Sequence, residues 1–404
     1  MSTPATPGIL DLSDPASFSE GVPHETFDRL RQEDPVHWTP AATGTLKDGF
    51  WSLTRARDIA EVSKDTANFT TTRGVMYPIN KELLEQESDS ILTLDPPRHT
   101  RLRQIVAKSF SPRVASRFES WIRETTVNTL QEVRGKQAFE FVEAVASVIP
   151  ALVIGQVMGV PLGDRSRLVD WGNDILAMDK SDGPERQFRA LGEVAQYAFE
   201  LREFKRRSPG PDVISELVNK SDAGTELTDS EYRWWVITLF VAGFETTHTA
   251  LGQIVRLLLE DTGILEQARG AVTEGRSAEL VEEFLRYITP AMGFARTAER
   301  DLDIGGQRVA EGDLLLMWYV AANRDPEVFD NPHHFDSQRN PSGHMTFGGG
   351  GPHNCLGSHI ARLELRIFLE EYFALDTGLR LDGTPQRGWS TSINRLERLP
   401  VAWA

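Results

Sequence analysis

This sequence predicts a mainly α-helical fold with a small β region brought together from distant parts of the chain. Helical periodicity is the first observation: Pro112–Val133, Phe139–Val157, Glu185–Arg206 and Asp229–Glu260 each read as helical over several turns. The second is a start signal, because Thr228-Asp229-Ser230-Glu231 places capping residues directly before the longest of those patterns. The third is that strand-like pieces cluster in three separated places: near Phe50–Leu53, from Phe294 to Trp318, and from Leu379 to Trp403.

Along the chain, the stretch from Met1 to Pro15 is polar and proline-bearing, and residues 1–20 are expected to form a mobile leader. Phe50 to Phe69 reads as a short strand followed by a helix, with Ile59 and Val62 at helical spacing. From Arg98 to about Leu375 the pattern is mostly helical, and the β-rich parts lie near residues 50–70, 294–318 and 379–403. Thr72–Ser90 and Asp179–Pro184 are the segments expected to be mobile, the second because its Ser-Asp-Gly-Pro composition suits a turn. The sequence contains no internal repeat and no low-complexity tract.

Composition narrows the function classes. With 40% hydrophobic and 25% charged residues in 404, the chain can bury a large core, as one large domain or two lobes. Its 43 basic and 59 acidic residues leave a net charge of −16, which argues against nucleic acid as the main ligand. A single cysteine excludes an internal disulfide. No secretory signal pattern and no run of roughly 18 apolar residues is present, so a cytoplasmic protein without a membrane span is expected.

The most unusual local feature is Phe347-Gly348-Gly349-Gly350-Gly351-Pro352-His353-Asn354-Cys355-Leu356-Gly357, followed by an apolar helical pattern. Each glycine costs conformational entropy on ordering, so four in a row imply a need for close backbone approach. The run ends at Cys355 just before a helix, whose N-terminal N–H groups would favour a thiolate. A lone cysteine can also be a small buried hydrophobe. A phosphate-cradling loop is disfavoured by the missing Lys-Ser or Lys-Thr pair, and a Cys355–His353 nucleophile pair by their spacing in a loop.

This run resembles the cysteine-ligand loop of the cytochrome P450 family, Phe-Gly-x-Gly-x-His-x-Cys-x-Gly, with one extra residue between Phe347 and His353. Glu283-Phe284-Leu285-Arg286 is similar to the family's Glu-x-x-Arg helix, and Arg339 resembles the third partner of that pair. Ala242-Gly243-Phe244-Glu245-Thr246-Thr247 resembles the segment that crosses the distal face of the haem. A glycine there weakens an apolar helix by roughly 1 kcal/mol relative to alanine, a breach of local rules that suggests a function. Asp95-Pro96-Pro97-Arg98-His99-Thr100-Arg101-Leu102-Arg103 and Phe294-Ala295-Arg296-Thr297-Ala298 are similar to the family's propionate-binding segments.

The resemblance covers about Phe50 to Trp403 and implies one P450-like domain over residues 1–404, with a long central helix over haem b. It implies Cys355 as the iron ligand, and His99, Arg103, Ala242, Gly243, Arg296, Phe347, Gly348, His353 and Gly357 around the cofactor. Glu245 and Thr246 would deliver protons for cleavage of the O–O bond, while Glu283, Arg286 and Arg339 would brace the core. The implied reaction inserts one atom of O2 into a C–H bond of a lipophilic guest, such as a terpenoid, steroid or fatty chain. By analogy the guest would meet Val75, Met76, Ile79, Leu239, Ala242, Ala291, Met292, Phe294 and Ile393, and the region around Leu176–Met178. No flavin or nicotinamide domain is evident, so a separate ferredoxin with its reductase is the expected donor. Lys108, Arg113, Arg362 and Arg366 are candidates for its dock on a monomeric protein, although scattered solvating charges read the same way. A peroxide-driven enzyme, a haem sensor or carrier, and a cysteine hydrolase without haem are the competing readings.

Overall fold

The computed structural model describes residues 9–45, 47–176, 182–219, 227–339, 342–375 and 378–403. Helices dominate, as expected, and the longest runs from Asp229 to Glu260 with the predicted capping box at its start. The Thr228 side chain accepts from the Glu231 N–H at 3.1 Å, and the Glu231 carboxylate accepts from the Thr228 N–H at 3.0 Å. The same carboxylate takes Arg98 at 3.0 Å and Arg101 at 2.7 Å. One capping residue therefore also ties the helix Arg98–Val106 to the start of the central helix.

The main sheet has five strands, in the order Val36–Pro40, Gly49–Leu53, Leu314–Trp318, Gly293–Ala298 and Phe69–Thr70. Gly49–Leu53 runs parallel to Leu314–Trp318, with Trp51 opposite Leu315, and the other pairs are antiparallel. Successive side chains point to opposite faces of a strand. Accordingly Leu314, Leu316 and Trp318 join one buried cluster with Phe27 and Phe50, while Leu315 and Met317 join another with Ile59 and Phe69. A three-stranded sheet pairs Pro400–Trp403 with Ala138–Glu140 and Leu379–Leu381. The largest core surrounds the central helix.

Four expectations are corrected. Leu12 and Phe18 are buried, with the Phe18 ring 5.7 Å from that of Trp318, so the leader is packed from residue 12 onward. The single helix expected over Phe139–Val157 divides into the strand Ala138–Glu140, a π-helical turn Val142–Ala146 and the helix Val148–Met158. Pro150 then sits in a first turn, where its missing N–H has no intrahelical partner to lose. The helix expected over Pro112–Val133 starts instead as a short turn, Pro112–Ala115, before Glu119–Arg134. Finally, Thr72–Ser90 is tied down: Val75 O accepts from Ala295 N at 2.7 Å, Ile79 N donates to Gly44 O at 2.8 Å, and Tyr77 O accepts from Ser392 Oγ at 2.6 Å. Asp179, Lys180 and Ser181 lie outside the described residues, as do Ala177 and Met178, whereas Gly183 and Pro184 open the helix Gly183–Arg207.

Candidate active site

Cys355 sits at the end of a loop that closes on itself, its N–H donating to Phe347 O at 2.8 Å, immediately before the helix Ser358–Ala374. Three of the four glycines adopt left-handed backbone: Gly348 at φ +111°, Gly350 at +94° and Gly351 at +82°. A Cβ at Gly351 would lie 2.7 Å from Ser63 O, and one at Gly349 would lie 2.9 Å from Ser63 Cβ. The close approach that the run was expected to need is thus partly to the helix Ala56–Lys64. Gly348 and Gly357 instead face a large internal cavity.

The empty space within that cavity, open mouth included, is about 1610 Å3. Cys355 forms part of its floor together with Phe347, Leu356, Ile360 and Ala361. The central helix forms the opposite wall through Trp235, Thr238, Leu239, Ala242, Gly243, Thr246, Thr247 and Ala250. Thr246 Oγ1 donates to Ala242 O at 2.8 Å, the back-bond that a hydroxyl makes one turn earlier on a helix. Gly243 also serves the packing behind the wall. A Cβ there would lie 2.8 Å from Ile154 Cδ1, so the glycine admits the neighbouring helix Val148–Met158.

One end of the cavity gathers His99, Arg103, Arg296 and His353, the four donors that the sequence placed far apart. The His99 and His353 rings stand 4.2 Å apart, and His99 Nδ1 and His353 Nε2 are buried without a hydrogen-bond partner among the described residues. Arg296 is buried and donates to Ala295 O at 2.8 Å, and Arg103 donates to Asn354 O at 2.5 Å. Burial first, and then the neighbouring Arg103, lowers the pKa of His99 to about 4. Burial, then Arg296, His99 and Arg103, lowers that of His353 to about 2. Such a crowd of donors calls for an anion, and two carboxylates would complete it.

The bracing group also assembles. Arg286 meets Glu283 through two hydrogen bonds of 2.8 Å with both side chains fully buried, and Arg339 Nε lies 3.4 Å from Glu283 Oε1. Asn323, to which the sequence reading gave no role, links this group to the cysteine loop. Its carbonyl accepts from Arg286 at 2.9 Å, and its side chain bonds Met345 N at 2.6 Å and Thr346 Oγ1 at 3.0 Å. A polar residue opening the tight turn Asn323-Arg324-Asp325-Pro326 was the available signal.

Among the guest-facing candidates, Val75, Leu239, Ala242, Ala291 and Phe294 line the cavity, whereas Met76, Ile79, Met292 and Ile393 do not. Met76 is half-buried outside the cavity lining, and Ile79 packs under Gly74. Met292 joins the cluster with Trp318, and Ile393 is buried beyond Ala291, to which it forms an isolated bridge. Phe110, Val153, Ile154 and Trp235 line the cavity without having been singled out. Glu245 is also turned from the lining; burial raises its carboxyl above the usual range and Arg395 opposes that shift.

A family model described as Cytochrome P450 matches residues 47–374. The chain belongs to the cytochrome P450 family. A steroid C26-monooxygenase of Mycolicibacterium smegmatis is 30% identical over 405 residues, covering 97% of this chain and 94% of the relative. A methyl-branched lipid omega-hydroxylase of Mycobacterium bovis is 30% identical over 397 residues, covering 96% and 92%. Among solved structures, a Mycobacterium marinum cytochrome P450 in complex with pseudoionone superposes with a TM-score of 0.90 at 30% identity over 100% of both chains. This P450 is thereby a monooxygenase of bacterial type, and the family implies a haem-iron cofactor.

The residues present fit that group. Cys355 opens into the same cavity as the unpartnered nitrogens of His99 and His353 and the guanidinium groups of Arg103 and Arg296, a thiol and an anion cradle that suit a metal-bearing ring with acidic side chains. The cavity-facing Gly348 and Gly357 leave the thiol side flat, with nothing within 4 Å of a Cβ built on Gly357. Cys355 is open to the cavity yet shielded from the exterior. Burial pushes its thiol up, against the N–H groups of Gly357 and Ser358 and the charges of Arg103 and Arg362. The N–H groups at the helix start act towards a thiolate, as expected, while desolvation opposes them; a bound cation would shift that balance towards the thiolate. No described helix of this P450 is long and apolar enough to cross a membrane.

Proposed function

We propose that this P450 hydroxylates a branched lipophilic molecule, a steroid side chain or a methyl-branched lipid, with Cys355 ligating the iron of haem b. The observation that carries this reading is the single cavity in which Cys355, four anion donors and the small-residue stretch of the central helix meet around apolar walls. The names of the relatives support the substrate class. When bound, a thiolate-ligated haem supplies dioxygen binding and O–O bond cleavage. In balance, a C–H bond and O2 with two electrons and two protons give a hydroxyl group and water.

This chain's own residues hold and shield. His99, Arg103, Arg296 and His353 would take the two propionates, and Phe347 would lie against the ring, itself covered by the Arg362 guanidinium at 4.3 Å. The apolar side chains of Val75, Leu239, Ala291 and Phe294 orient the guest and exclude water. Thr246, at the cavity wall, would hold a proton for that chemistry, and Glu245, behind the wall, would replenish it.

Electrons would come from a separate ferredoxin docking near a groove lined by Ala115, Glu119, Arg362 and Arg366. Of the four predicted dock cations, Lys108 and Arg113 are exposed. Arg362 is engaged by Glu282 at 2.6 Å and Arg366 by Glu119 at 2.8 Å, which weakens the local field.

Two measurements test the reading. The reduced, carbon-monoxide-bound holoenzyme should show the strongly red-shifted band of a thiolate-ligated haem, and Cys355→Ala should lose it; its absence from the unaltered protein overturns the assignment. Spin-state titrations should respond to cholesterol and to a methyl-branched fatty acid more tightly than to the straight-chain acid of equal length. Equal or absent responses remove the substrate class.

A further inference from the structure

The face of the central helix that turns away from the cavity carries a second titratable group. Glu245, His248 and Gly252 fall at i, i+3 and i+7, one stripe along the helix. A Cβ on Gly252 would lie 3.8 Å from Leu396 and 3.9 Å from Val142, so this stripe packs against the strand Leu396–Arg398 and the π-helical turn. Gln253 Nε2 confirms the contact by donating to Asn394 O at 2.7 Å. Arg395, between Asn394 and Leu396, is the charged group that acts on both Glu245 and His248. Its guanidinium lies 3.6 Å from Glu397, and the exposure of the two side chains rises from 7% to 31%, so the file reaches the outer surface.

His248 is 2% exposed, and neither ring nitrogen has a hydrogen-bond partner among the described residues. A buried polar ring with both nitrogens unengaged is costly, and its tilted packing against Phe244, with centroids 5.7 Å apart, does not offset that cost. Nothing in the haem pocket uses it.

We propose that His248 reloads Glu245 with a proton between the two proton transfers of each turnover, the proton arriving from the surface along Glu397 and Arg395. The inference rests on the monooxygenase reading above. Burial favours the uncharged forms of both Glu245 and His248, the states from which such a cycle starts. Glu245 gives its proton towards Thr246 and becomes a carboxylate beside Arg395. That negative charge raises the basicity of the imidazole one turn away, which takes a proton from the Glu397 side and passes it to Glu245. Arg395 does not release a proton itself; it stabilises the carboxylate and orders the route. His248 is thus a positioning residue that acts through Glu245.

The test uses haem-loaded protein with a plant-type ferredoxin, its reductase and NADPH, and two readouts. Infrared spectroscopy should show a protonated-carboxyl band near neutral pH that disappears in Glu245→Gln. His248→Phe and Arg395→Met should each move its titration midpoint upward by at least about one pH unit, a tenfold change in the equilibrium. His248→Phe should also slow dioxygen consumption about tenfold and enlarge its solvent isotope effect, with His248→Gln intermediate and the carbon-monoxide band unchanged. Absence of the Glu245 band, an unmoved midpoint in His248→Phe, or dioxygen consumption at the unaltered rate overturns the proposal. Loss of the carbon-monoxide band in the unaltered protein would instead sink the functional reading. If His248→Phe does not fold, the same criteria apply to His248→Gln.

Discussion

At the scale of single residues, the buried charges of this P450 are the groups whose removal is most informative. Glu283 and Arg286 are fully buried and mutually satisfied, so Glu283→Gln leaves a guanidinium without its counter-charge. Denaturant unfolding of the haem-loaded protein should report a loss of about 3–5 kcal/mol, and haem retention should fall with it, because Asn323 relays this group to the cysteine loop. The histidines make a pH prediction. A folded-state pKa of about 4 at His99 lies below the ordinary value of 6.5, so the unfolded chain binds the extra proton. Stability of the haem-free protein should therefore fall as pH drops from about 6.5 towards 4, and His99→Asn should flatten that slope. Bound propionates favour the charged ring, so unfolding measured with and without haem should show the steeper pH dependence without it.

At the scale of elements, two glycines of similar appearance have opposite prospects. In the cysteine loop, Gly351→Ala meets backbone at 2.7 Å and a φ of +82°, neither of which can relax cheaply. Haem incorporation should fall severely, read as the absorbance ratio of haem to protein after purification. In the central helix, Gly243→Ala meets the Ile154 side chain, Cδ1 at 2.8 Å and Cγ1 at 3.0 Å, and no backbone, so the neighbour can give way. Helix propensity then offsets part of the strain, and stability should stay within about 1 kcal/mol of the unaltered protein. Because Ile154 lines the cavity, spin-state titration should show a larger loss of affinity for bulky guests than for slender ones.

At the scale of the whole molecule, a net charge of −16 repels an acidic donor, so docking must rely on local cations. Lys108 and Arg113 are exposed, whereas Arg362 and Arg366 are held by carboxylates. Lys108→Glu and Arg113→Glu should slow reduction by an acidic ferredoxin several-fold at low salt and little at high salt, while the carbon-monoxide band stays unchanged. Stopped-flow reduction across an ionic-strength series checks this.

The sequence by itself determined the short patterns of the site: a lone cysteine in a glycine run, donors for an anion, a Glu-x-x-Arg pair and a capped central helix. Those features are legible because each is a short pattern whose residue types suit one local role. Tertiary structure alone decided which apolar residues meet the guest, separating Val75 from Met76 and Ala291 from Met292, because irregular segments have no period from which to read a facing side. It alone showed that Gly349 and Gly351 serve the helix Ala56–Lys64, that Asn323 joins the brace to the loop, and that Glu245 lies outside the cavity lining. Periodicity sets the angle of a residue on its helix; what covers that angle is set by partners far away in the chain.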